Sequence, residues 1–140
     1  MNVDKIMSQK IVAVKMDDSL KTVKEVFDKT HFHHLLVVEG KQLFGIISDR
    51  DLLEALSPNL GLGSETEKYL ATLNKRAHQI MSRKPISLEP HADIYKAIEI
   101  FNRTSISCIP IVNSNFYPIG IVSWRDILKA LETMRKNSSF

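Results

Sequence analysis

Apolar and polar positions alternate along this chain in one order, and that order occurs twice. A short β-branched run, Ile11-Val12-Ala13-Val14, comes first. Leu20, Val23, Val26 and Phe27 then share one face of a helix, with Asp18 or Ser19 as its N-cap. Two apolar strands follow, over residues 35–38 and 44–47, joined at Gly40-Lys41. A helix over residues 50–56 closes the series. The second half repeats it with Ile86-Ser87-Leu88, then Ile94, Ala97, Ile98 and Phe101 behind Asp93. Strands over residues 109–112 and 119–122 turn through Asn113-Ser114-Asn115, and a helix runs from Arg125 to about Lys136. The order strand-helix-strand-strand-helix, met twice, predicts a mixed α/β (α+β) fold.

The two halves also match residue by residue. Ile6-Met7-Ser8 returns as Ile80-Met81-Ser82, an offset of 74. The same offset pairs Glu25 with Glu99, Phe27 with Phe101, Thr30 with Thr104 and Val38 with Val112. One inserted residue near Tyr117 makes the offset 75, and Gly45-Ile46-Ile47-Ser48-Asp49-Arg50-Asp51 then matches Gly120-Ile121-Val122-Ser123-Trp124-Arg125-Asp126. Sixteen identities join residues 6–56 to their partners, where average residue usage gives roughly three by chance. Two copies point to a pseudo-two-fold pair, not a solenoid. A unit of about fifty residues is marginal alone, so a shared core is expected. The copies span 4–57 and 78–135, with a connector at 58–77 and a tail at 136–140. In the connector, Ser57-Pro58 ends a helix and Gly61 and Gly63 mark a loop. Ser64-Glu65-Thr66-Glu67 reads as a capping box opening a short helix with Leu70, Leu73 and Ala77 on one face, a candidate to cross the groove between the copies.

Composition narrows the function classes. Of 140 residues, 44% are hydrophobic and 25% charged, as in ordinary globular proteins. The net charge is +3, and the basic residues are scattered without a helix-turn-helix or zinc-finger pattern, so nothing beyond the basic pI speaks for nucleic acid. Cys108 is the only cysteine and sits in an apolar run, which predicts a buried, reduced thiol. The N-terminus has no apolar signal-peptide stretch, and no run approaches the roughly 20 apolar residues of a membrane span. The cytoplasm is the default compartment. No P-loop, GxGxxG or nucleophile–base arrangement is present, so no enzymatic activity is expected. His31, His33 and His34 cluster without the further ligands that a metal site needs, and copy two has no counterpart.

Chemistry concentrates where the last strand of each copy meets its last helix. Ser48 with Asp51, and Ser123 with Asp126, have capping-box spacing, which alone explains them. The same place is a helix N-terminus, where free N–H groups can receive phosphate. Arg50 and Arg125 stand between Ser and Asp, although capping requires no arginine. Hydroxyl and guanidinium groups can hold phosphate oxygens, and a carboxylate can accept hydrogen bonds from both ribose hydroxyls. Capping and nucleotide binding both remain open on these residues.

The chain resembles a CBS-domain pair, the tandem called a Bateman module. The resemblance rests on Ile-Met-Ser at the head of each copy, on Cys108-Ile109-Pro110-Ile111-Val112, and on the two Gly-Ile-hydrophobic-Ser-x-Arg-Asp segments. It implies two copies packed through their sheets about a pseudo-two-fold axis. The two clefts between them would bind an adenosyl ligand: AMP, ADP, ATP or S-adenosylmethionine. By that resemblance Asp51 and Asp126 hold ribose, and Ser48, Arg50, Ser123 and Arg125 hold phosphate. Ile11, Val12 and Leu36 would wall one base, and Ile86, Ser107 and Pro110 the other. It further implies a homodimer that needs no cofactor and signals to a separate effector protein. Leu36 in place of Pro110, Ile11 in place of Pro85, and Asp49 in place of Trp124 set copy one apart. Trp124 is a candidate for packing, dimer contact or ligand contact.

Overall fold

The computed structural model describes residues 1–56 and 65–137. A 3-10 helix at Val3–Lys5 is followed by β1 (Ala13–Lys15), α1 (Leu20–Thr30), β2 (His34–Glu39), β3 (Gln42–Ser48) and α2 (Asp49–Leu56). Next come α3 (Glu65–Leu73), α4 (Ala77–Ile80), β4 (Ser82–Arg83), α5 (Ile94–Arg103), β5 (Cys108–Val112), β6 (Pro118–Ser123) and α6 (Trp124–Lys136). The chain forms two compact units, one of Val12–Pro85 and one of Met1–Ile11 with Ile86–Phe140.

In the unit of Val12–Pro85, Ser19 is the N-cap of α1, its Oγ accepting from the Thr22 N–H at 3.2 Å. The helix ends at His31, which takes the left-handed cap conformation (φ 58°) and returns its N–H to the Phe27 carbonyl. Histidine is among the side chains that tolerate that region. The β2–β3 hairpin turns through Gly40 and Lys41, both at positive φ (54° and 72°), as a two-residue hairpin with right-handed twist requires. The sheet order is β1-β2-β3-β4, with β1 parallel to β2 and the other pairs antiparallel. Leu35, Val37 and Ile47 pack with Leu20, Val23 and Phe27 in one core, closed by Leu52, Leu56, Ala77 and Met81. Tyr69 and Leu73 join that core. Helix α3 therefore packs on α1 and α2 of this unit. Ser57-Pro58, Gly61, Gly63 and Ser64 lie outside the described residues.

The other unit repeats the design. Asp93 caps α5 through the Tyr95 N–H at 2.8 Å, and the core joins Ile94, Ala97, Ile109, Ile111, Val122 and Ile127 to Val3. Strands β5 and β6 pair antiparallel. The outer strands shrink to single bridges, Leu88 with Ile111 in parallel and Ser8 with Ile121 antiparallel. Pro85 stands where copy one has Ile11, and a proline at that strand's start cannot donate to a ladder. The first strands of both copies thus start later or stay shorter than their β-branched runs predict.

The repeats read in sequence and the units that pack are offset. The head of each repeat packs with the body of the other. Val3 N–H donates to Ala92 O, and Ile94 N–H to Met1 O. The same bonds recur between Ala77 N–H and Asp18 O, and between Leu20 N–H and Lys75 O. Sequence similarity identifies equivalent residues, but the bonding follows the free edges of β3 and β6, which each need a strand.

Candidate functional site

The strand-to-helix corners are built alike. At the β3–α2 corner the Ser48 N–H donates to Asp51 Oδ2 at 2.9 Å, and the Asp51 N–H donates to Ser48 Oγ at 3.0 Å. At the β6–α6 corner the corresponding distances are 2.8 and 3.2 Å, and the Ser123 hydroxyl also reaches Asp126 Oδ2 at 3.1 Å. Both are reciprocal capping boxes. They leave Oδ1 of each aspartate without a partner among the described residues. Both aspartates are half-buried, and Arg50 and Arg125 are exposed.

The other expected contact residues divide by burial. Leu36 is 1% exposed and pairs with Ile46 on the face of β2 turned away from the α1 core. Its N–H donates to Val12 O at 3.0 Å, so Val12 and Leu36 adjoin. Pro110 is fully buried on β5, and its carbonyl accepts from the Leu88 N–H. Ile11, Val12 and Ser107 are half-buried, and Ile86 is 42% exposed.

The sequence of the CBS domain as a family model matches residues 3–58 and again 77–133. The chain belongs to the CBS-domain family. The M. jannaschii (Methanocaldococcus jannaschii) protein MJ1225 is 28% identical over 130 residues, 89% of this chain and 46% of its own. Its crystal structure superposes with a TM-score of 0.82 over 94% of this chain and 50% of that one. This chain therefore spans about half of MJ1225. A CBS domain-containing protein of Dictyostelium discoideum is 28% identical over 131 residues, 92% of this chain and 90% of its own. Two further structures share the fold at lower identity. CBSX2, a CBS-pair protein known from Arabidopsis thaliana and solved in complex with AMP, has a TM-score of 0.79 at 21% identity, covering 96% of this chain and 98% of its own. The CBS domain pair of MJ0100, solved with 5'-methylthioadenosine and S-adenosyl-L-methionine, has 0.78 at 22%, covering 96% and 98%.

The two CBS motifs differ around their corners. In the first, Asp49 Oδ2 lies 2.8 Å from His33 Nδ1, and the Asp49 N–H donates to the His33 carbonyl at 2.9 Å. The acidic charge beside Asp51 thus has a histidine partner that the sequence alone did not reveal. His34 is half-buried; burial lowers its pKa, opposed by the charges of Asp49 and Asp51 and reinforced by that of His33. In the second motif Trp124 replaces Asp49 and is 56% exposed. Cys108 pairs with Ser123 across β5–β6, and burial, aided by the Asp126 charge, pushes its thiol up to about 12. The thiol is therefore protonated at neutral pH and a poor nucleophile. Asp126 also borders a cavity of about 270 Å³ shared with Lys5 and Lys129, which the sequence reading passed over. The i, i+3 spacing of Asp126 and Lys129 on α6 was the available signal, but Lys5 is joined to them only by the fold. Among the described residues, no three His, Cys, Asp or Glu side chains converge as metal ligands, and no helix is long and apolar enough to cross a membrane.

Proposed function

We propose that this CBS pair is a non-catalytic regulatory module that binds an adenosyl ligand, one of AMP, ADP, ATP or S-adenosylmethionine. Asp51 and Asp126 hold ribose hydroxyls. Ser48, Arg50, Ser123 and Arg125 face the phosphates or other polar tail, and Ile11, Val12, Leu36, Ile86, Ser107 and Pro110 contribute to the walls around the base. The observation that carries this is the unengaged Oδ1 of each aspartate. The cap fixes the carboxylate through Oδ2 and leaves a second acceptor oriented but unused. The AMP complex of CBSX2 and the S-adenosylmethionine complex of MJ0100 support the ligand class. The module acts as a cytoplasmic homodimer and signals to a separate effector protein. A ligand biases such a module only through unequal affinity for its alternative arrangements.

A thermal-shift panel with the four ligands tests the proposal. A specific ligand at a hundred times its dissociation constant stabilises the fold by about 2.7 kcal/mol. The second reading is a dimeric scaffold in which Ser48–Asp51 and Ser123–Asp126 serve only as caps, and the reciprocal hydrogen bonds at both corners favour it. No shift with any of the four at millimolar concentration decides for the scaffold.

A further inference from the structure

The head of the second repeat, residues 75–84, carries Lys75, Arg76, Arg83 and Lys84 and no acidic residue. All four are exposed, and among the described residues none belongs to an ion pair. The head lies within the unit of Val12–Pro85. There Arg76 Nη1 donates to the Asp17 carbonyl at 3.2 Å, and Arg83 Nη2 donates to the His78 carbonyl at 3.2 Å. His78 joins the two anchors, since its Nε2 lies 3.8 Å from Asp17 Oδ1. Each guanidinium is thus held by one terminal nitrogen, and the rest of its planar fork stays open to an acceptor. The repeat does not require this charge. At the offset of 74 the other unit has Asn2 for Arg76, Asp4 for His78, Gln9 for Arg83 and Lys10 for Lys84.

The same head carries an open strand edge. β4 (Ser82–Arg83) is last in its sheet order, pairs with β3 on one side, and has both residues exposed. A strand edge presents N–H donors and carbonyl acceptors, which another main chain matches. A phosphodiester backbone supplies acceptors alone. The β4 of a second copy would set the same cations against these ones, and like charges facing across a strand pair are destabilising.

We propose that the head at residues 75–84 is a docking surface for an extended, acidic segment of a partner protein. The segment adds its main chain beside β4, and its carboxylates meet the open forks of Arg76 and Arg83 and the ammonium of Lys84. The surface uses no residue of the Ser-x-x-Asp corners and does not depend on their ligand.

Fluorescence anisotropy of the full chain with a labelled peptide of about ten residues, alternating Glu with Val so that its carboxylates share one face of a strand, tests this. The peptide should bind the wild type by a margin that shrinks as salt rises. Arg76→Asn with Arg83→Gln gives this head the residues that the other unit carries. That double variant should bind about tenfold more weakly or worse, since two charge-assisted contacts are lost, with its urea midpoint close to that of the wild type. Lys84→Gln should weaken binding by a smaller factor. Lys10→Gln with Lys29→Gln removes the same charge elsewhere and should leave binding unchanged. An equal loss in that control assigns the binding to net charge and overturns the surface. So does binding that survives the Arg76 and Arg83 substitutions, or no binding to the wild type. A peptide with alternate backbone nitrogens methylated should bind more weakly, and equal affinity overturns the strand addition. A single-stranded DNA oligonucleotide that binds more tightly than the peptide, and is lost in the same double variant, makes the head a nucleic-acid surface and overturns the acidic segment.

Discussion

The Met81 side chain lies against the α-carbon of Gly45, and Met7 lies against Gly120 in the same way. Each methionine heads one repeat, and each glycine opens the Gly-Ile-hydrophobic-Ser segment of the other. The two signatures of the repeat are thus the two halves of one contact. A missing Cβ at Gly45 lets Ser82–Arg83 pair with β3, with Gly45 opposite Arg83 and Ile46 opposite Ser82.

Gly45→Ala should destabilise the protein. A Cβ there would come within 2.9 Å of Met81 Cγ and 3.0 Å of the Ser82 carbonyl oxygen. The methionine can move, but the carbonyl belongs to the backbone of β4 and cannot withdraw without loosening the pair. Overpacking of this kind costs about 1–3 kcal/mol. Gly120→Ala, facing Met7 and the Ser8 carbonyl, should cost about the same. Urea denaturation measures both, and an unchanged midpoint for either would show that the strand edge yields.

Asp126→Asn separates capping from ligand binding. The asparagine oxygen can still accept from the Ser123 N–H, so the loss of stability should stay well below the roughly 1 kcal/mol expected of Asp126→Ala. Ligand affinity should fall much further. Hydrogen bonds to a charged acceptor contribute about 1.5–3 kcal/mol, equivalent to at least a tenfold weaker dissociation constant. Denaturation and titration on the same preparation give the two numbers. Unchanged affinity with reduced stability assigns Asp126 to the cap alone.

Element order, hairpin turns and helix caps were legible because each depends on residues close in sequence. Ser19 and Asp93 cap their helices, and Gly40-Lys41 turns the hairpin, where local pattern places them. The exchange of repeat heads was not legible. Identity between Met7 and Met81 says that they are equivalent, not which glycine each one meets. The corners were legible in composition and ambiguous in meaning, since Ser-x-x-Asp serves a cap and a ribose with the same atoms. The His33–Asp49 pair escaped notice because it joins the loop before β2 to the first turn of α2. His31, from the same cluster, is instead the left-handed C-cap of α1.

His34 should make stability depend on pH. Burial lowers its pKa from the ordinary value of 6.5, while Asp49 and Asp51 act to raise it and His33 to lower it further. The folded chain therefore prefers the neutral ring. Below about pH 6.5 the unfolded chain binds a proton that the folded chain resists, so stability falls as pH falls. The contribution is fully present above that pH. His34→Thr keeps a strand-forming side chain at this place in β2 and removes the titration. Its urea midpoint should change less between pH 7.5 and 5.5 than that of the wild type. Equal slopes would sink the assignment to His34.

The proposed homodimer has a surface suited to it on α6. Trp124, Leu128 and Leu131 are 56%, 54% and 41% exposed, and their i, i+4, i+7 spacing places them on one helix face. Leu53, at the equivalent position to Leu128 in α2, is 61% exposed. An apolar helical stripe of this kind is unusual on a surface that remains in water. Leu128→Glu would place a charge in the middle of the α6 stripe. Because Leu128 is exposed within the chain, the substitution should change the stability of the isolated fold by no more than about 0.5 kcal/mol. Association should weaken by at least tenfold, since an unpaired charge would be buried in the contact. Sedimentation equilibrium across a range of concentrations measures the change directly. A monomeric wild type at high micromolar concentration rules out the homodimer. A dimer that tolerates Leu128→Glu places its interface on another face.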